Sequence, residues 1–385
     1  MKRPLLIIII ILVVILAFPV YSVVRWAFQE KKPLNVLVLN KTVPTLDRVT
    51  HRSFFWILNN ERFVDKEKKN SYSYRNDYYG FYPLKPLRER QHKKVDYRLA
   101  ELIDLAESYD ALYFADTYGV FFSEWYQTVN RTRRTRKIYG GLNNNDQLLL
   151  AEMQKREKLI LLEYNSFDYP TADLERYKVE EMLGIKSTGW TGKYFESLDT
   201  VNNQDFPIWM TGMYRKYTRE PWTFTGPGIV FVKSREIVVL EMGESLTSPM
   251  PMVITGEENA AKYGVAVSVP FDKWFEVIEP RDSEVISSFQ INATAAGDSL
   301  LAQNFLPDNF PAVIVNPGNH RSFYFAGDFA TNDVPIGTSY LSKHWILRKT
   351  HFSEKDENDP KRFFWLYYKP LITSIFTDYY NTIKQ

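Results

Sequence analysis

The chain has 385 residues, with 48 basic and 46 acidic side chains, a formal net charge of +2, 45% hydrophobic and 24% charged residues. That is the composition of a packed globular protein and excludes a disordered chain. Its near-balanced charge, with one short basic cluster at Arg131 to Lys137, excludes a nucleic-acid partner. Cysteine is absent, which removes disulfides, thiolate metal sites and every cysteine nucleophile together.

Leu5 to Val24 is a run of twenty residues without a charge, and at about 1.5 Å per residue it matches the roughly 30 Å hydrocarbon core of a bilayer. The reading is a membrane anchor. Pro19 and Ser22 would suit a cleaved signal peptide, but the apolar core of such a peptide is shorter, roughly 7 to 15 residues. The Met-Lys-Arg start predicts the amino terminus inside and the bulk of the chain exported. Residues 1–32 are then cytoplasmic terminus, anchor and linker, with Lys31 to Leu34 as the linking stretch. An exported domain covers 33–340, and 341–385 forms an aromatic helical segment.

Beyond the linker come three apolar runs of the buried-strand type: NVLVLN (Asn35 to Asn40), ALYFAD ending at Asp116 and LILLEYN ending at Asn165. A helix is predicted before the second run, in VDYRLAELIDLAESY, with Leu99, Leu102, Ile103 and Ala106 on one face. Another is predicted before the third, in NNDQLLLAEMQKR. Alternation of this kind makes a parallel sheet covered by helices. Thr171 to Leu183 reads as a further helix, capped by Thr171 and stopped by Gly184. The pattern then turns to strands. GIVFVKSREIVVLEMG is a hairpin turning at Lys233 to Arg235, and KYGVAVSV, SEVISSFQI, FPAVIVN and RSFYFAGDF follow. They form either a smaller mixed β region or further strands of the same sheet with insertions. Lys361 to Ile383 closes the chain as an aromatic helix with Pro370 inside, expected to kink. It packs on the domain or, through Trp365, Tyr367, Tyr368 and Tyr379, touches a membrane surface.

The segments NVLVLN, YDALYFADTYGVF, YGGLNNNDQLLLAEMQKREKLILLEYNSF and RSFYFAGDF resemble the class I glutamine-amidotransferase-like superfamily, in the branch with trehalose-utilisation-like domains. EEMLGIKSTGWTGKYF is similar to a stretch of membrane-anchored bacterial relatives. The resemblance implies an α/β fold: a flavodoxin-like, amidotransferase-like parallel sheet with helices on both faces and added β-hairpins, here behind a transmembrane helix. It also implies a place in the bacterial cytoplasmic membrane, single-pass, with the bulk of the chain extracytoplasmic. The chain departs from the family's chemistry. Working amidotransferases of this type carry a cysteine on a strained strand-to-helix elbow, with His and Glu behind it. Here Ser166 stands in the corresponding turn, without the flanking glycines of a serine elbow.

Ligands in open α/β sheets sit outside the carboxyl ends of the strands. That rule selects Asn40, Lys41 and Thr42 after the first strand, Asp116, Thr117, Tyr118 and Gly119 after the second, and Glu163, Tyr164, Asn165 and Ser166 at the third. Asp116 and Glu163 are candidate acid and base if burial drives their pKa values apart; capping or pairing with arginine is the plainer role for each. His51 is a candidate base near the same crevice, against a packing role. Asp328 could join His320 or stabilise its own turn beside Gly327. Trp190, in the predicted loop GWTGKYF, is a candidate sugar-stacking residue or a buried loop anchor. No histidine spacing suits a metal, and no phosphate-cradling glycine loop is present, so no metal or cofactor is expected. Three functions remain open. They are a non-amidase binding or accessory protein of the cell envelope with glycan or envelope-protein partners, a hydrolase of a carbohydrate derivative using the strand-end acids, and a structural subunit.

Overall fold

The computed structural model describes residues 17–127, 135–203, 206–318, 321–342 and 348–384. Most of the expected anchor, Leu5 to Val24, lies outside them, as does His320. Its described end is helical over residues 17–27, and among the described residues no helix is long and apolar enough to cross a membrane.

Fourteen strands build two sheets. They are β1 (Val36–Asn40), β2 (Tyr79–Pro83), β3 (His92–Val95), β4 (Ala111–Asp116), β5 (Leu159–Glu163), β6 (Ile185–Phe195), β7 (Gly228–Lys233) and β8 (Glu236–Glu241), followed by β9 (Met252–Thr255), β10 (Ser268–Pro270), β11 (Trp274–Pro280), β12 (Glu284–Gln290), β13 (Asn309–Val315) and β14 (Ser322–Phe325). The larger sheet runs β10-β9-β12-β13-β14-β5-β4-β1-β2-β3. Its centre, β14-β5-β4-β1-β2, is parallel, and antiparallel strands extend both sides. Strands β1 and β5 are buried at every position, as a parallel strand covered on both faces must be. The chain passes from β1 to β2 on one side and then to β4 on the other, so strand order reverses between β1 and β4.

Helices cover both faces. On one, α1 (Val49–Asn60) lies against the sheet, Phe54 stacking on Tyr113 at 4.0 Å. The C-terminal helix packs behind it, with Phe376 5.5 Å from Phe54. On the other face lie α2 (Leu102–Ser108), α3 (Asn144–Lys155) and α4 (Asp173–Leu183), where Leu150 and Val179 meet Ile160 and Leu162. Asn143 caps α3, its side chain accepting from the Asp146 N–H at 3.0 Å. The smaller sheet, β8-β7-β6-β11, is antiparallel. One face joins the main core through Phe275, 5.2 Å from Phe289. The other closes a satellite core of Phe195, Met210, Val230 and Val232 under α5 (Trp209–Thr218). Both alternatives for the second half are therefore realised, one by each sheet.

Several elements differ from the sequence reading. The expected helix Val95 to Tyr109 begins only at Leu102, after a 3-10 turn at Leu99–Glu101, and Val95 belongs to β3. Its buried stripe is Leu102 and Ala106, while Leu99 and Ile103 are 62% and 55% exposed; Ile103 lies about 100° around the helix from Leu102. The expected cap Thr171 instead accepts the Leu142 N–H at 2.9 Å, and α4 starts at Asp173. GWTGKYF is strand, the second half of β6, and KYGVAVSV divides between α6 (Glu257–Tyr263) and β10. The linker stretch is held in place, because Lys32–Pro33 pairs with Phe63–Val64. In the closing helix the disturbance at Pro370 takes the form of a π-helical turn, Phe364–Tyr368, just ahead of it. Tyr367, Tyr368 and Phe376 are fully buried and Tyr379 is 6% exposed, so this helix belongs to the core.

Candidate functional site

The carboxyl ends of β1 and β4 meet where the strand order reverses, the place where open α/β sheets bind ligands. The two strand ends are stitched together there. The Lys41 N–H donates to the Asp116 carbonyl at 2.8 Å. The Thr42 hydroxyl donates to Asp116 Oδ1 at 2.6 Å and accepts the Gly119 N–H at 2.7 Å, and the Tyr118 N–H reaches the same carboxylate oxygen at 2.8 Å. Only glycine fits at 119. Its φ is 106°, and a Cβ would lie 2.0 Å from the Tyr139 carbonyl. Thr117 is fully buried and accepts the Gly141 N–H through its carbonyl at 2.7 Å. Burial pushes the Asp116 carboxyl up to about 7, against the pull of the Thr42 bond and helped by the charge of Asp328.

The adjoining end of β5 supplies Tyr164, Asn165 and Ser166. Asn165 holds a φ of 69°, a left-handed turn that asparagine tolerates better than most residues. Tyr164 is 7% exposed. Its hydroxyl is pushed well up by burial and by the surrounding Asp116, Asp328 and Glu276 charges, so it stays protonated among acids. Ser166 is fully buried and its hydroxyl donates to the Glu163 carbonyl at 2.8 Å.

The other sequence-selected residues are buried and engaged within the fold. Glu163 faces the α1 side, with one oxygen accepting from the Tyr113 hydroxyl and the other from the Phe329 and Ala330 N–H groups at 3.1 and 3.0 Å. Burial pushes its carboxyl well above the usual range. Among the described residues it shares no hydrogen-bond partner with Asp116. His51 is fully buried, not at a rim, and burial lowers it to about 3. Its tautomer follows from the network. The Thr42 N–H takes Asn40 Oδ1 at 2.9 Å, so Asn40 Nδ2 donates to His51 Nδ1 at 2.8 Å, and Nε2–H donates to the Tyr74 carbonyl at 2.8 Å. Lys41 is 1% exposed, bonded to Asp146 at 2.6 Å and to the Gly141 carbonyl at 2.9 Å. Trp190 is 2% exposed, packed in β6 with the Lys233 ammonium 5.7 Å from its ring centre.

Sequence reasoning missed Glu276, and gave Asp328 only a turn or a histidine partner. Glu276 is 2% exposed, its Oε1 has no hydrogen-bond partner among the described residues, and burial pushes its carboxyl well up. The available signal was a single acid inside the otherwise apolar WFEVI of β11. Burial also raises Asp328, opposed by the charges of Lys273 and Lys193. Among the described residues no group of His, Asp or Glu is placed to hold a metal ion. The arrangement can offer hydroxyl, amide and protonated carboxyl groups to a polar ligand.

No family model and no curated protein matches the chain. Among solved structures, a glutamine amidotransferase from Thermotoga maritima is similar at 11% identity and a TM-score of 0.36, over 90% of this chain and 98% of that one. A ThuA-like protein from Bacteroides uniformis is similar at 9% identity and a TM-score of 0.32, over 86% and 97%. A β-galactosidase from Bacillus circulans sp. alkalophilus follows at 10% identity and a TM-score of 0.34, over 77% of this chain but 30% of that one.

Proposed function

We propose that the chain is a membrane-anchored, exported protein with an amidotransferase-like domain that lacks amidase activity and acts as a binding or accessory component of the bacterial envelope, taking a glycan at the crevice between β1, β4 and β5. The observation that carries this reading is the turn after β5. The serine hydroxyl in that turn, that of Ser166, is fully buried and bonded to the Glu163 carbonyl, and the chain has no cysteine to replace it. Around that turn the Asp116 carboxyl, the Tyr164 hydroxyl and the Asn165 amide suit the hydroxyls of a sugar. Anchoring is supported by the helix at residues 17–27. It turns Ser22 and Trp26 toward the domain and leaves Val20, Tyr21, Val23 and Val24 between 44% and 63% exposed, an apolar face that suits lipid.

The test is the full-length protein in detergent. It releases no ammonia from glutamine, and its saccharide binding is lost in Asp116→Asn without loss of stability. Ammonia release that survives Ser166→Ala refutes the reading. A second reading, hydrolysis of a carbohydrate derivative, would use Asp116 with Asp328, whose charge raises both Asp116 and Glu163. Turnover abolished in Asp328→Asn would favour it.

A further inference from the structure

Away from the crevice, a cavity of about 420 Å³ opens beside the first half of β1. It exists because β1 meets β2 only at Leu39 and Asn40, so that β2 and β3 splay away from Val36 to Val38 and leave a wedge. An added strand does not fit this wedge. The Tyr72 hydroxyl already accepts the Val36 N–H at 3.1 Å and donates to the Leu34 carbonyl, so the strand edge is engaged where a peptide would pair.

Five tyrosines line the space: Tyr72, Tyr78, Tyr79, Tyr82 and Tyr109. Tyr78 and Tyr82 stack at 4.1 Å with an interplanar angle of 14°. Their hydroxyls are fixed on the backbone, Tyr78 on the Phe81 carbonyl at 2.9 Å and Tyr82 on the Asn76 carbonyl at 3.1 Å. They form a rigid aromatic wall. The hydroxyls of Tyr79 and Tyr109, by contrast, make no hydrogen bond among the described residues. Burial, with Tyr79, Asp65 and Asp77 nearby, pushes Tyr109 up to about 12, so it remains a donor. Asp65 and Asp77 are matched by Lys68 and Lys93 around the opening. The cavity therefore carries no net charge to select an anion or a cation.

A rigid aromatic wall, two free phenol hydroxyls and balanced donors and acceptors suit a neutral polyhydroxyl ring, which has apolar C–H faces and a polar edge. We propose that this cavity is a saccharide-binding site for a neutral mono- or disaccharide unit, separate from the crevice. It shares the ligand class of the proposed function but none of its residues, and stands or falls independently.

The experiment uses the full-length protein in nanodiscs, free of sugar-based detergent, with maltose, cellobiose and diacetylchitobiose as probes read by saturation-transfer NMR and calorimetry. At least one probe is expected to bind. Each of Tyr79→Phe and Tyr109→Phe should weaken it by roughly 3- to 10-fold, the effect of one hydrogen bond, and Asp116→Asn, which silences the crevice, should leave this tyrosine-dependent binding in place. Failure of all three probes to bind, or unchanged binding in the Tyr79→Phe/Tyr109→Phe double variant, overturns the proposal. Loss in Asp116→Asn with both tyrosine variants behaving as wild type also overturns it while upholding the crevice. Loss in the tyrosine variants alone upholds the cavity and removes sugar binding from the crevice.

Discussion

Replacing Asp116 by Asn tests the crevice at its most responsive group. The folded protein holds this carboxyl at about 7 against an ordinary 3.8, a gap of about 3 pH units worth at most about 4 kcal/mol. Partial contact of the side chain with solvent makes that an upper bound. Because the folded value is raised, the folded state binds the extra proton between the two values. The contribution is fully present below about pH 4 and is lost as pH climbs through about 7. Asparagine mimics the protonated acid. Its Oδ1 can still accept from the Thr42 hydroxyl and the Tyr118 N–H, the two bonds that Asp116 Oδ1 makes. Urea unfolding of the full-length protein at several pH values should therefore show wild type losing stability from pH 4 to 8 relative to Asp116→Asn, with the variant the more stable at pH 8. The difference between the two isolates Asp116 from Glu163, Glu276 and Asp328, which burial also raises. Parallel pH profiles for the two proteins, or a variant less stable by a constant amount, would mean that Asp116 is an ionised cap and would refute the reasoning.

Lys41→Met should cost about 3–5 kcal/mol in urea unfolding, because it strands the buried Asp146 carboxylate, whereas Lys41→Met/Asp146→Leu should recover most of the loss. His51, lowered to about 3 by burial, should show imidazole NMR shifts that do not move between pH 5 and 8; a titration in that range would contradict its packed, neutral role. Gly119→Ala should destabilise by more than about 2 kcal/mol, since both its φ and the Tyr139 carbonyl oppose a side chain, as a thermal melt would show. Truncation before Lys361 should abolish folded expression, because it removes Phe363, Tyr367, Tyr368 and Phe376, all fully buried in the core; a folded truncated protein would revive the membrane-surface role of that helix.

The central strands could be read because β1, β4 and β5 are apolar throughout, and their polar ends mark the edge where Asn40, Asp116 and Asn165 lie together. Which face an acid takes was harder to read. Glu163 and Asp116 both end apolar runs, yet Glu163 turns to the face of Tyr113, and only the packing of Tyr113 and Tyr368 around it reveals this. Glu276 and Asp328 approach the crevice through a pairing of Phe275 with Gly327 and a bond from the Asp328 N–H to the Trp274 carbonyl at 2.9 Å. No local spacing encodes those contacts. The glycines of GWTGKYF misled for a related reason. Gly192 is small because a Cβ there would lie 2.4 Å from the Phe275 ring, a demand of sheet packing and not of a loop.

The helix α1 joins the two ends of this molecule. At its start the Thr50 hydroxyl donates to the Thr42 carbonyl at 3.1 Å and His51 accepts from Asn40, so its first turn is bonded to the strand end that carries the crevice. At its close the Trp26 indole donates to the Asn59 carbonyl at 3.0 Å, and the Arg62 guanidinium lies 4.3 Å from the Trp26 ring. Ser22 adds a bond to the Ser342 carbonyl at 2.5 Å. The helix at residues 17–27 is thus docked on the body, not tethered by a loose linker. From His51 to Asn59 is about 12 Å of helix, and Phe54 to Leu58 between them are fully buried, so this strut cannot bend without opening the core. In the proposed membrane setting, the anchor side sits at the amino edge of the sheet and the crevice at the opposite edge. If the chain is anchored as proposed, its crevice would face away from the bilayer, which would suit a ligand lying in the envelope above the membrane better than one embedded in it.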